Sequence, residues 1–312
     1  MSIESDLRKD GIKVVDILDT VTVNRIAHNI AIKLCETFPE LCFNEADLYA
    51  KLAKLTMYRA TMPEGMAEAN YFYKNTSIYF NARVDTDSLE EFAIHECIHY
   101  IQEIKDRKNN LIRMGLCNFD ALKIVGMGLN EAAVQYATSK VIGIKKEAVK
   151  YFGISFETLS PSFYPLECNL IKQLAYFTGE EILFDSTFTS NDKFKEKFIE
   201  LTSGKTFSEV EQCCDQILDF EEQILKLNNK FNSYDERNSK VDKIVEKQDI
   251  LKEKIAQYFI KAQNSIIKGY FDKQFKHITN LEELDNYRKK LDHYGNLIGR
   301  TDDYTFFDDY YT

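Results

Sequence analysis

His95-Glu96-Cys97-Ile98-His99 lies inside an amphipathic run that opens with Asp85-Thr86-Asp87-Ser88 and carries Leu89, Phe92, Ala93, Cys97, Ile98, Ile101 and Ile104. The polar opening supplies a helix cap, and the apolar spacing predicts a helix reaching about Lys105. On a helix, residues four apart project from one face on successive turns, so the two imidazoles converge on a single ion. Glu96 sits one residue on from His95. It lies beside such an ion without binding it, placed to take a proton from water. Cys97 falls on the opposite side of the helix and reads as a core thiol.

Two imidazoles leave a catalytic metal site one protein ligand short. Glu103 on the same helix is eight residues from His95, about 12 Å of rise, too far to share the ion. A third histidine six residues after His99 is absent, because Lys105 stands there and Gln102 replaces the turn glycine of that pattern. The better candidate is Glu131, in Gly128-Leu129-Asn130-Glu131-Ala132-Ala133. A carboxylate among small apolar residues on a second helix, expected from about Asn118 to Val141, needs compensation if buried, and a metal ion provides it. Gly126 and Gly128 would let the two helices approach closely.

H-E-x-x-H followed by Asn-Glu-Ala on a downstream helix resembles the gluzincin, thermolysin-like branch of the zincin metallopeptidases. The resemblance covers roughly residues 55–140. It implies one zinc ion per chain held by His95, His99 and Glu131, Glu96 as general base, and Asn130 as the asparagine before the glutamate ligand. It also implies that the strand Ser77–Phe80 is the edge strand that pairs with an extended peptide. Where the thermolysin group has an aspartate bonded to a zinc-bound histidine, this chain has the neutral Gln135. The family stabilises the oxyanion with a Tyr or His. Tyr136, Tyr151, Tyr164 and Tyr176 are all available; Tyr164, in a proline-flanked loop, is preferred.

The remainder of the chain sets the frame. Only four prolines and twelve glycines punctuate 312 residues, so helices should dominate. The expected fold class is mainly α (α+β), with a zincin-like metallopeptidase domain over 1–205 and a helical region over 206–312. Residues 6–54 read as helices, the first carrying Ile12, Val15, Ile17 and Leu18, the last capped by Asn44. Residues 56–82 read as two or three short antiparallel strands, the only convincing β region. Asn109–Asn118 reads as a loop insertion, and Leu166–Thr178 as a helix ended by Gly179. From Ile217 to Val245 apolar residues alternate steps of three and four, with polar Asn238 in the stripe. That pattern gives a helical hairpin or, alternatively, a coiled coil for self-association. The aromatic tail Tyr304–Tyr311 is expected to dock on the protein.

Forty Lys+Arg against fifty Asp+Glu leave a net charge of −10, which argues against bulk-charge binding of nucleic acid or anionic lipid. No stretch is apolar enough for a membrane span and no secretory signal is visible. Seven cysteines without disulfide spacing read as reduced thiols, with Cys213-Cys214 as helix-surface residues, so the expected location is cytoplasmic. The expected function is a zinc-dependent peptidase acting on a peptide or protein substrate. The alternative is a catalytically inactive metal-binding protein serving as a helical interaction module.

Overall fold

The computed structural model describes Leu7 and residues 11–120, 123–231 and 240–298. Most of these are helical, with small sheets and a long helical C-terminal region. No described helix is long and apolar enough to cross a membrane. Leu122, Tyr234, Asn238 and the tail Tyr304–Tyr311 lie outside the described residues.

Lys13–Ile17 (β1) forms a strand where helical spacing predicts the first helix. Val14, Val15 and Ile17 are β-branched, and the exposed edge of Thr56–Thr61 (β2) offers them an antiparallel backbone partner. Asp19 then starts the first helix, α1 (Thr20–Thr37), its carboxylate accepting from the Thr22 amide at 2.9 Å. Helix α1 buries Val23, Ile26, Ala27, Ile30, Ala31 and Leu34, one stripe at helical spacing. Asn44 caps α2 (Glu45–Leu52) through the Asp47 amide, as its side chain predicts.

Ala69–Phe72 (β3) and Ser77–Asn81 (β4) complete a four-stranded sheet in the order β1-β2-β4-β3. Two expectations fail here. The sheet is mixed, since β2 and β4 run parallel. Ser77–Phe80 is also no edge strand: all of β4 is buried between β2 and β3, and the edge belongs to β3. An apolar run without alternation is the mark of an interior strand.

The H-E-x-x-H helix is α3 (Leu89–Gln102), and the Glu131 helix is α4 (Met127–Ile142). The connection between them is neither a loop insertion nor the start of α4. It is a meander of Glu103–Lys105 (β5), Leu111–Met114 (β6), Cys117–Phe119 (β7) and Ile124–Val125 (β8). Gly115 at φ +57° opens the two-residue turn between β6 and β7, a conformation side-chain-bearing residues resist. A further hairpin, Glu147–Tyr151 (β9) with Ile154–Thr158 (β10), turns through Phe152 and Gly153, both at positive φ.

Helices α5 (Pro165–Thr178), α6 (Glu180–Thr189) and α7 (Lys193–Leu201) follow, with Gly179 ending α5 as its position predicts. Then α8 (Gly204–Phe231) and α9 (Lys240–Phe275) fold back on each other as a hairpin, and α10 (Leu281–Leu297) closes the described chain. Ile217, Phe220, Ile224 and Leu227 are buried, so this part of the stripe is used inside the chain. The register does not continue to Val245, which is exposed while Ile244 is buried. Cys213 and Cys214 are core residues rather than surface ones, and every cysteine is a free thiol.

One core joins residues on both sides of position 205, from Ile26 and Ile98 through Ala133 and Leu170 to Cys214 and Phe259. The tightest link is between α8 and α4. A Cβ on Gly128 would stand 2.4 Å from the Cys214 carbonyl, so its missing side chain admits α8 rather than α3. Asp215 completes the joint: its two carboxylate oxygens accept from the Gly126 amide at 3.0 Å and the Gly128 amide at 2.9 Å. Gly126 has no side chain to cap its own helix, and Asp215 performs that task from another element. Asp215→Ala is therefore expected to cost about 1–2 kcal/mol in chemical denaturation, the range of a lost N-cap.

Candidate metal centre

Helices α3 and α4 pass each other in opposite directions, His95 meeting Gln135, His99 meeting Glu131 and Gln102 meeting Asn130. The His95 and His99 Nε2 atoms are 3.0 Å apart. Glu131 Oε2 lies 3.2 Å from His95 Nε2, and Oε1 lies 3.4 Å from His99 Nε2. Ligands about 2.0–2.1 Å from an ion at tetrahedral angles stand about 3.3–3.4 Å from one another, so these contacts, made by both carboxylate oxygens, are near the spacing such an ion requires. Two imidazole nitrogens at 3.0 Å also repel unless a cation or a proton lies between them. His95, His99 and Glu131 are thus close enough to hold a metal ion.

The electrostatics agree with a cation-seeking site. Burial pulls the His99 pKa down, but the Glu131 carboxylate and, behind it, Glu96 raise it to about 9. Burial pushes Glu131 up, and His99 and His95 outweigh it, holding the carboxyl well below the usual range. Without a metal, a proton on His99 balances the charge.

The surroundings select which nitrogen faces the centre. His95 Nδ1 is 2.9 Å from Gln135 Oε1, and the Gln135 amide nitrogen donates to Ser160 Oγ at 3.0 Å. Ser160 in turn donates to the Phe163 carbonyl. This chain of donors assigns the proton to His95 Nδ1 and leaves Nε2 free to bind. His99 Nδ1 makes no hydrogen bond in this structure, although the Gln102 side chain one turn on lies close enough to favour the charged ring. Asn130 is fully buried, and its polar atoms turn to Leu116 and Gln102 rather than to the candidate ligands. Its Oδ1 accepts from the Leu116 amide at 3.0 Å, and its amide donates to Gln102 Oε1 at 3.3 Å, tying α4 to α3 and to the β6–β7 turn. Ser160 and Tyr71 carry no pattern that marks them in the sequence; Gln102 has only its position, three residues past His99.

Glu96 is nine-tenths buried, and its Oε2 accepts from the Tyr71 backbone amide at 2.7 Å. Tyr71 lies on β3, so the edge of the sheet touches the Glu96 carboxylate directly. Tyr164, at φ +48° just before α5, lays its ring against His95 with centroids 6.0 Å apart. The Glu131 carboxylate, burial and Glu96 all raise its hydroxyl pKa, which keeps it a proton donor. The other candidate tyrosines are engaged elsewhere: Tyr136 with Glu180, Tyr176 with His293, and Tyr151 beside Glu221. His95, Glu96, Gln135 and Tyr164 line one end of a cleft of about 180 Å³.

Behind Tyr164 lies a feature with no sequence signature. Glu167 on α5 is fully buried with neither carboxyl oxygen hydrogen-bonded, and Glu221 on α8 is its electrostatic neighbour. Burial pushes both carboxyls up, and the charge of Glu221 adds to the effect on Glu167. The folded protein therefore keeps a proton here that the unfolded chain releases above about pH 4.5, so this pair makes folding less favourable as pH rises. Glu167→Gln should raise the melting temperature at pH 8 clearly more than at pH 5. No family model, no curated protein and no solved structure matches this chain.

Proposed function

We propose that this chain is a zinc-dependent metallopeptidase of gluzincin-like design, with His95, His99 and Glu131 as ligands and Glu96 as general base. The observation that carries the reading is the convergence of two Nε2 atoms, 3.0 Å apart, with the two oxygens of one carboxylate at 3.2 and 3.4 Å from them, beside a cleft that His95, Glu96 and Tyr164 line. Two imidazoles and one carboxylate suit zinc and leave a coordination position free. When bound, the ion polarises a substrate carbonyl and makes water a competent nucleophile near neutral pH.

The chain's own residues divide the remaining work. Glu96 removes the proton of the attacking water and delivers it to the departing amine, which one carboxylate can do because the entering oxygen and the leaving nitrogen are bonded to the same carbon. Its bond to the Tyr71 amide holds the carboxylate in place between these transfers. Tyr164, kept protonated by Glu131 and burial, donates to the oxyanion as the carbonyl becomes tetrahedral. Gln135 fixes the His95 ring through Nδ1 without adding charge. Strand β3 offers an extended peptide an edge for backbone pairing, displacing the family's expected strand by one position in the sheet.

Elemental analysis of the purified chain should find about one zinc per molecule, lost in His95→Ala and in Glu131→Ala. Glu96→Gln should keep the zinc and lose at least about a hundredfold in peptide hydrolysis. A well-folded wild type that neither contains nor takes up zinc would refute the reading. Tyr164→Phe should lower kcat by about 10²-fold with little change in KM, because its bond forms only as the oxyanion develops.

A further inference from the structure

The cleft continues past the metal ligands, and its outer half has a chemistry of its own. Along α3, Glu91 lies one turn before His95 on the same face, about 6 Å away along the axis. Along α4, Thr138 and Ile142 continue the face that carries Glu131 and Gln135. Because the helices run antiparallel, Glu91 stands opposite Thr138 and Ile142, and all three line the cleft. Glu68, just ahead of β3, lines it from the sheet side.

Three observations define what fits. The walls between these residues are apolar, made by Phe92, Ile142, Ile144 and Phe163, and Ile142 and Phe163 are large side chains left exposed. No lysine or arginine lines the cleft among the described residues, and neither Glu68 nor Glu91 has an ion-pair partner there. Two polar atoms in the wall are unsatisfied: Thr138, only 3% exposed, has no partner for Oγ1, and Glu68 Oε2 is buried without one. An apolar occupant would leave both atoms dry and unbonded, and an anionic one would face uncompensated carboxylates.

We propose that this outer half is a subsite for a side chain with an aliphatic stem and a cationic head, so that the substrates are peptides with lysine or arginine next to the bond that is cut. The inference rests on the peptidase reading for the word substrate, but the subsite itself is a matter of binding. The stem lies along Phe92, Ile142 and Phe163, and the head reaches Glu68 and Glu91 with Thr138 Oγ1 as a further acceptor.

The test is a binding measurement on the zinc-loaded full-length Glu96→Gln protein, which separates recognition from turnover. Three fluorescent peptides, identical in a Gly/Ser/Ala background except for one central Lys, Leu or Glu, are compared by anisotropy. The Lys peptide should bind about tenfold tighter than the Leu peptide, with Glu the weakest. Adding Glu68→Gln and Glu91→Gln should bring the Lys-to-Leu ratio close to one, and Glu91→Lys should shift the preference towards the Glu peptide. Equal affinities, no binding of any peptide, or a ratio indifferent to these substitutions would overturn the proposal. A lysine preference in a protein whose wild type cleaves none of the peptides would keep the subsite and refute the peptidase. Cleavage without a basic preference would do the reverse.

Discussion

The contact between one carboxylate and two imidazoles, made where α3 and α4 pass each other, is the constraint around which this molecule is arranged. Glu131 stands within 3.4 Å of both Nε2 atoms, in a setting where each group alone would be expensive to bury. A positive charge has to be present among them, whether a proton or a metal ion. Everything that fixes the relative height and rotation of the two helices therefore also fixes the site: the Asn130–Gln102 bond on one side, the Gln135–Ser160 bond on the other, and the β6–β7 turn wedged beneath.

The side chain that braces His95 is a neutral glutamine. A carboxylate behind a ligand histidine increases its basicity, whereas Gln135 orients the His95 ring and adds no charge. The negative charge beside His99 comes instead from Glu131 and Glu96. Neutral bracing suits a pocket already crowded with carboxylates, because another anion there would raise the cost of all of them.

Local features were the legible ones. The pairing of His95 with His99 and the placing of Glu96 follow from helical spacing alone, and the Asn44 cap and the Gly179 stop follow from the chemistry of single residues. Glu131 was recognisable because a carboxylate among alanines is conspicuous. What stayed hidden depends on distant partners. Lys13–Ile17 has apolar residues that fit a helix about as well as a strand, and only the free edge of β2 decides between them. The meander between α3 and α4 consists of strands too short to show a period. Tyr71 and Ser160 act through contacts 25 residues away in sequence, which no local pattern encodes.

The cap that Asp215 places on α4 joins two parts of the chain that could otherwise be treated separately. Its donors, Gly126 and Gly128, begin the helix whose next turn carries Glu131. A conformational change that lifted α8 away would uncap that turn and loosen Glu131. By thermodynamic reciprocity, a cation that holds Glu131 in place must tighten the seating of α8 by the same factor. Through these two amides the seating of the α8–α9 hairpin is tied to the position of the Glu131 carboxylate beside the two histidines.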